Sequence, residues 1–236
     1  VSAVDTSVSV LGKTIPLPLV LAPTGFTRIA DPQGELAVAR AAQRAGLPYT
    51  LSTLSTRSIE EVAAANGDGR LWFQVYVWKD RGLVADMVER AAESGYEALC
   101  LTVDTAVFGK RERDVRRGFT LPPKLGLSTL LDGIIHPGWT WQFLTNDPIV
   151  FANVAGRSVG EGGETVALAR YVASEFDPGL TWSDVEWLRA RWKGPIVIKG
   201  IQTVDDARIA ADEDLAEEFD TALHPPESQP RLQASN

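Results

Sequence analysis

A repeating β-α rhythm constrains this sequence more than any other feature. Leu19 to Ala22 is a short apolar run ended by Pro23 and Gly25, and Glu35 to Ala45 is an Ala-rich segment of helical spacing closed by Gly46. Tyr49 to Thr53 then reads as a strand, Ser58 to Ala65 as a helix, Leu71 to Val77 as a strand, Leu83 to Ser94 as a helix closed by Gly95, and Ala98 to Val103 as a strand. Ser58 and Glu61 stand at capping-box spacing. Short, nearly continuous apolar runs suit strands buried on both faces. Their alternation with helices implies a parallel sheet with helical crossovers. Ahead of this, Ser7 to Pro18 reads as a hairpin around Gly12-Lys13.

The rhythm breaks at residues 105 to 178 and returns with a helix at Trp182 to Trp192, a strand at Pro195 to Lys199 and a helix at Val204 to Ala211. Five strands, near residues 20, 51, 74, 100 and 197, make an α/β chain of the TIM-type (β/α) barrel class with about five of the eight βα units that closure needs. Residues 1–212 are read as one partial barrel carrying a long insert at about 120–178. Leu121-Pro122-Pro123 stops any helix, Thr129 to Ala155 reads as apolar and irregular, and Gly156 to Gly163 as flexible. Residues 213–236 are acidic, then polar and proline-containing, and are expected to be disordered.

Composition removes several functions. A net charge of −8 argues against a general nucleic-acid binder, which needs a basic face. No run of eighteen apolar residues suits a membrane span, and Val1 to Asp5 shows neither the basic nor the apolar part of a signal peptide. Cys100 is the only cysteine, which fits a reducing compartment. Its two histidines, His136 and His224, form no metal motif. The expected location is cytoplasmic.

In parallel β/α sheets the C-terminal strand ends carry the site, because the loops converge there. Thr24 and Gly25 follow the first strand. Ser52 and Thr53 end the second, Gln74 and Tyr76 the third, Thr102 and Asp104 the fourth, and Lys199 the fifth. Small or polar groups at five strand ends in succession point to a site, although any one of them could simply mark where a strand meets water. Lys199 suits a Schiff-base nucleophile, a phosphate anchor, a charge stabiliser or an ion pair with Asp104. Arg111, in GKRERD, suits a two-pronged clamp on a carboxylate or a solvated charge run.

Taken together, LAPTG (21–25), TLSTLSTRSIEEVA (50–63), WFQVYVWKDR (72–81), LTVDTAVFGKRERDVRRGF (101–119), LTWSDVEWLR (180–189) and PIVIKGIQTVDDAR (195–208) resemble the FMN-dependent 2-hydroxy acid oxidases and dehydrogenases. That family includes glycolate oxidase, flavin-linked L-lactate dehydrogenase and mandelate dehydrogenase. The resemblance implies FMN as cofactor and a small 2-hydroxy acid as substrate. The electron acceptor would be a quinone, a cytochrome or oxygen. It places backbone at Thr24 and Gly25 near the flavin ring, and Ser52, Gln74 and Thr102 as its hydrogen-bonding side chains. Lys199 falls beside flavin N1 and O2. Tyr76 and Arg111 match the residues that hold the substrate hydroxyl and carboxylate, and Asp104 the acid that pairs with the catalytic histidine.

The sequence departs from the family pattern after Ala211. The motif SNHGGRQLD, which supplies the base histidine and a second arginine, has no counterpart, and neither do the later phosphate-binding loops. The expectation is a truncated form that does not turn over a 2-hydroxy acid by itself, pairs through its open edges as a homo-oligomer, or persists as an inactive remnant. A lysine-dependent aldolase is the alternative enzyme class. The stretch 129–155, with Trp139, Trp141 and Phe143, resembles the insert of membrane-associated relatives and suggests peripheral contact at the inner face of the membrane.

Overall fold

The computed structural model describes residues 4–105, 112, 116, 131, 133–154 and 175–212. Arg111, His224, Gly156 to Gly163 and the 213–236 tail lie outside the described residues, and so do the expectations placed on them. Two strands, β1 (Val8–Val10) and β2 (Lys13–Ile15), form an antiparallel hairpin. Leu11 (φ 50°) and Gly12 (φ 70°) make its two-residue turn; positive φ at both central positions matches the twist of a hairpin.

The rest alternates as the sequence implies: α1 (Glu35–Ala45), β3 (Tyr49–Leu51), α2 (Ile59–Asn66), β4 (Leu71–Val75), α3 (Arg81–Glu93), β5 (Ala98–Thr102), α4 (Pro137–Thr145), α5 (Trp182–Arg189), β6 (Ile196–Lys199) and α6 (Val204–Asp212). Sequence-local chemistry sets the helix ends. The Ser58 hydroxyl accepts from the Glu61 N–H at 3.1 Å, and the Glu61 carboxylate accepts from the Ser58 N–H at 2.8 Å, which satisfies two otherwise orphaned donors. Asp80 caps α3 by accepting from Leu83 N–H.

Strands β3-β4-β5-β6 lie side by side in that order, all parallel. The expected strand near residue 20 is reduced to one parallel bridge, Leu21 to Tyr49. Pro16, Pro18 and Pro23 surround it and have no N–H to give a ladder. Alternation sorts the side chains cleanly. Tyr49, Leu51, Leu71, Phe73, Val75, Leu99, Leu101 and Ile196 fall on one face and pack into one core with Val62, Leu83, Val84, Met87 and Leu188 from the helices. Each fully buried Leu, Val or Phe contributes roughly 1.5–3 kcal/mol. The other face carries Thr50, Ser52, Trp72, Gln74, Cys100, Thr102, Val197 and Lys199, by register.

The insert is more regular than its sequence suggests. Pro137 begins α4 at its first position, where the missing N–H costs nothing, and Trp139 stacks on Phe143 one turn later at 5.0 Å. Part of the stretch expected to be irregular is thus a helix that starts at Pro137.

At the opposite end of the sheet, Glu97 joins the hairpin to the strands. It accepts from Lys13 Nζ at 2.7 Å, Arg70 Nε at 2.6 Å and Trp72 Nε1 at 2.9 Å, while Arg70 Nη2 donates to the Val10 carbonyl. Burial pushes the Glu97 carboxyl up, but these donors outweigh it and hold it below its ordinary 4.5. A carboxyl depressed in the folded state stabilises above its unfolded pKa and loses that contribution as pH falls through the folded value. Urea unfolding should therefore show wild type losing more stability than Glu97→Gln between pH 7 and pH 3. The variant should be weaker by about 1–3 kcal/mol at pH 7. Equal pH dependence of the two would exclude this role.

Candidate active site

The polar face of the sheet is organised by one glutamine. Gln74 is 1% exposed. Its Oε1 accepts from Ser52 Oγ and from Thr53 N–H, both at 3.2 Å, and its backbone carbonyl accepts from Thr53 Oγ1 at 2.6 Å. Ser52 Oγ in turn accepts from Leu54 N–H at 3.1 Å. The end of β3 and the loop after it are thereby locked to β4. Gln74 Nε2 and Thr102 Oγ1 are both buried with no hydrogen-bond partner. Leaving such groups unmade costs about 1–3 kcal/mol each. Gln74 Nε2, near the Tyr76 phenol, and Thr102 Oγ1 lie on one face of one sheet and are free to bond a polar ligand there.

Thr102 pairs in register with Lys199, whose strand ends at the sheet mouth beside Asp104. Both Lys199 and Asp104 are exposed, and they form no ion pair with one another among the described residues. Gly200, at φ 102°, is required here: a Cβ would lie 2.7 Å from Asp104 Cβ. Tyr76 continues the Gln74 face and is half-buried. Burial and then the Asp104 charge raise its phenol above the ordinary range, and the neighbouring Gln74 amide opposes them. Its ring meets Phe176 edge-on at 4.9 Å. Thr24 and Gly25 are exposed at the same end, and a Cβ on Gly25 would come within 3.2 Å of the Leu54 carbonyl.

So the structure brings Ser52, Gln74, Thr102 and Lys199 onto one face, with Tyr76 and Asp104 at its C-terminal end. Sequence reasoning missed the supports. Arg81 ties Trp78 O, Asp177 and Asp184 together and so holds Phe176 against Tyr76. Glu35 is fully buried and accepts from the N–H and hydroxyl of Thr56 at 2.8 and 2.6 Å. Asn153 Nδ2 donates to Ser55 Oγ at 2.9 Å. The sequence signal for the first was a pair of acids, Asp177 just ahead of α5 and Asp184 in its first turn. On the other face, a cavity of about 650 Å³ lies between β5, β6, α5 and α6, lined by Val103, Leu180, Trp182, Ile198 and Asp206 among others. It reaches the same sheet mouth, since Asp104 and Gly200 also line it.

Residues 1–216 match the FMN-dependent dehydrogenase family. The chain belongs to that family. It is 42% identical to L-lactate oxidase of Nostoc sp. and 41% identical to glycolate oxidase 3 of Arabidopsis thaliana, each over 90% of this chain. A Mycobacterium tuberculosis protein that carries a provisional L-lactate dehydrogenase name is 45% identical over 212 residues. Among solved structures, monotopic membrane protein (S)-mandelate dehydrogenase superposes with a TM-score of 0.81 at 37% identity, over 90% of this chain and 56% of that one. The chain spans about half the length of these relatives (50% to 53% of the curated ones). The family's cofactor is FMN. The residues present fit it, because the isoalloxazine edge offers acceptors to an unpaired amide N–H and an unpaired hydroxyl, which Gln74 and Thr102 supply.

Cys100 lies in register with Gln74 and is 5% exposed. Burial pushes its thiol up to about 11, with Lys199 pulling the other way. The thiolate is the reactive form. A disulfide reagent at pH 8 should therefore label Cys100 only after denaturation; stoichiometric labelling of the folded chain would contradict this placement.

Proposed function

We propose that this chain binds FMN on its Gln74 face and serves the oxidation of a small 2-hydroxy acid to the 2-oxo acid. The observation that carries the reading is the pair of buried, unpartnered groups at Gln74 Nε2 and Thr102 Oγ1. FMN, when bound, accepts the two electrons that the substrate loses. Gln74, Ser52 and Thr102 would hold the ring edge, and the backbone at Thr24 and Gly25 would border it. Lys199 sets a positive charge where electron density gathers. Tyr76 receives the substrate hydroxyl, Arg111 its carboxylate, and Asp104 orients a base. The family's base is a histidine, and His136, the one histidine among the described residues, stands exposed at the N-cap position of α4. A positioned base typically contributes 10²–10⁴-fold. The electron acceptor on this reading is a quinone, a cytochrome or oxygen.

Fluorescence titration of the purified chain with FMN tests the binding half. Thr102→Val should weaken FMN about tenfold, from one lost hydrogen bond, and Gln74→Leu by more, because it also leaves the Ser52 hydroxyl and the Thr53 N–H without their acceptor. Affinity unchanged in both would end the assignment. In the flavin-loaded chain, Lys199→Met should lower the midpoint potential by removing a positive charge. An unchanged potential would remove Lys199 from that role. No dye reduction is expected with lactate, glycolate or mandelate, and brisk turnover by this chain would show that an unassigned base is at work.

The second part of the proposal is peripheral membrane contact. Ile134, Ile135, Trp141 and Leu144 are 66–72% exposed, and α4 carries no charged residue. An uncharged surface helix with aromatic rings suits the headgroup boundary. Its nine residues cannot cross a bilayer, and no helix among the described residues is long and apolar enough to do so. The structural likeness to a monotopic membrane protein supports this reading. Wild type should float with liposomes and a Trp139/Trp141/Phe143 triple-alanine variant should not. Equal flotation would remove α4 as the anchor.

A further inference from the structure

The apolar helix and the flavin-side turn are tied through one buried arginine. Arg28 is 9% exposed. Its Nη2 donates to the Asp147 carbonyl at 2.8 Å and its Nη1 to the Pro148 carbonyl at 3.4 Å, both just beyond the end of α4. Trp139, on α4 itself, returns a bond from Nε1 to the Ile29 carbonyl at 2.8 Å. The seat of Arg28 is built for it: Gly34 sits at φ 53°, and a Cβ there would lie 2.6 Å from Arg28 Cγ. A larger residue at position 34 would displace the arginine.

The other side of the same turn faces the loop that carries Ser52. Phe26 holds a left-handed conformation at φ 59°, which is costly for a bulky side chain. Its N–H donates to the Leu54 carbonyl, and its ring meets Phe151 edge-on at 4.6 Å. Thr27 Oγ1 closes the turn on the Thr24 carbonyl at 3.2 Å. Thr24 to Ala30 is thus a short, tightly tied unit with α4 on one side and the Ser52–Leu54 loop on the other.

We propose that Arg28 couples these two sides, so that seating α4 on a lipid surface stiffens the Phe26–Ala30 turn that carries the Thr24–Gly25 backbone beside the flavin. Ordering the turn in advance lowers the entropy lost when a ligand binds beside it. The coupling is reciprocal: a ligand held by the turn favours the seated helix by the same factor. This inference rests on the bilayer reading of α4 and specifies how that contact would regulate the site. Arg28 is a positioning residue in this scheme and touches neither substrate nor flavin.

Hydrogen exchange of the 26–30 amides, with and without phosphatidylcholine vesicles and with flotation measured on the same samples, tests it. Wild type should float, and vesicles should slow exchange over 26–30 by about fivefold or more, the lower range of measured couplings. Arg28→Lys keeps the charge but lacks the planar fork whose two nitrogens reach the Asp147 and Pro148 carbonyls separately. It should float equally well and show no slowing. Trp139→Phe, which keeps the apolar surface and loses only the indole N–H, should reduce the slowing and serves if the lysine variant does not fold. Wild-type chain that floats with unchanged exchange at 26–30, or a floating Arg28→Lys variant that responds like wild type, overturns the coupling alone. Wild-type chain that does not float overturns the bilayer reading and the coupling with it.

Discussion

The site depends on how the fold satisfies Gln74. A primary amide buried between strands has two donors and an acceptor to place. The acceptor is used twice, by Ser52 and by Thr53, and the backbone carbonyl of the same residue takes the Thr53 hydroxyl. These bonds hold the mouth of β3 to the mouth of β4 where ladder pairing has ended. The donor side is left unspent in the buried region, and Thr102 one strand over is left in the same state. The family's cofactor presents a planar edge with several carbonyl and ring-nitrogen acceptors, which such donors can meet.

Around this face the fold places supports of different strength. Glu97 anchors the hairpin at the far end of the sheet through three donors. Glu35 and Asn153 hold the Ser52–Ser58 loop from opposite sides, one at the start of α1 and one from the chain after α4. Arg81 pins the Phe176 segment over Tyr76. The contacts of Glu97, Glu35 and Arg81 are charge-assisted and buried or part-buried, and so stronger than surface ion pairs. They make the loops at the sheet mouth a preformed surface.

Much of this was legible in the sequence because local rules and the fold agree. The Ser58–Glu61 capping box, the Gly46 helix end and the apolar runs at Leu71 and Ala98 each report a period or a cap that depends only on neighbours in the chain. Polar strand ends picked out Ser52, Gln74 and Thr102 because strand direction alone decides which end is the mouth. The strand at Leu21 shrank to a bridge because prolines on both sides deny it a ladder. Helix α4 went unread because Pro137-Gly138 signals a break and also a start, and only tertiary contacts such as Trp139 to Ile29 choose between them. Phe176 and Asn153 were invisible, since each acts on a partner about a hundred residues away and carries no local signature.

The most direct test is to observe the Gln74 side-chain amide itself. In nitrogen-15 labelled chain, the amide pair absent from a Gln74→Leu spectrum identifies the resonance. Addition of FMN should shift that pair and slow its exchange with water, as the unpaired N–H groups find acceptors. FMN that binds, by fluorescence, while the Gln74 pair stays unmoved would contradict the account, because the flavin would then lie away from the face that the sheet prepares.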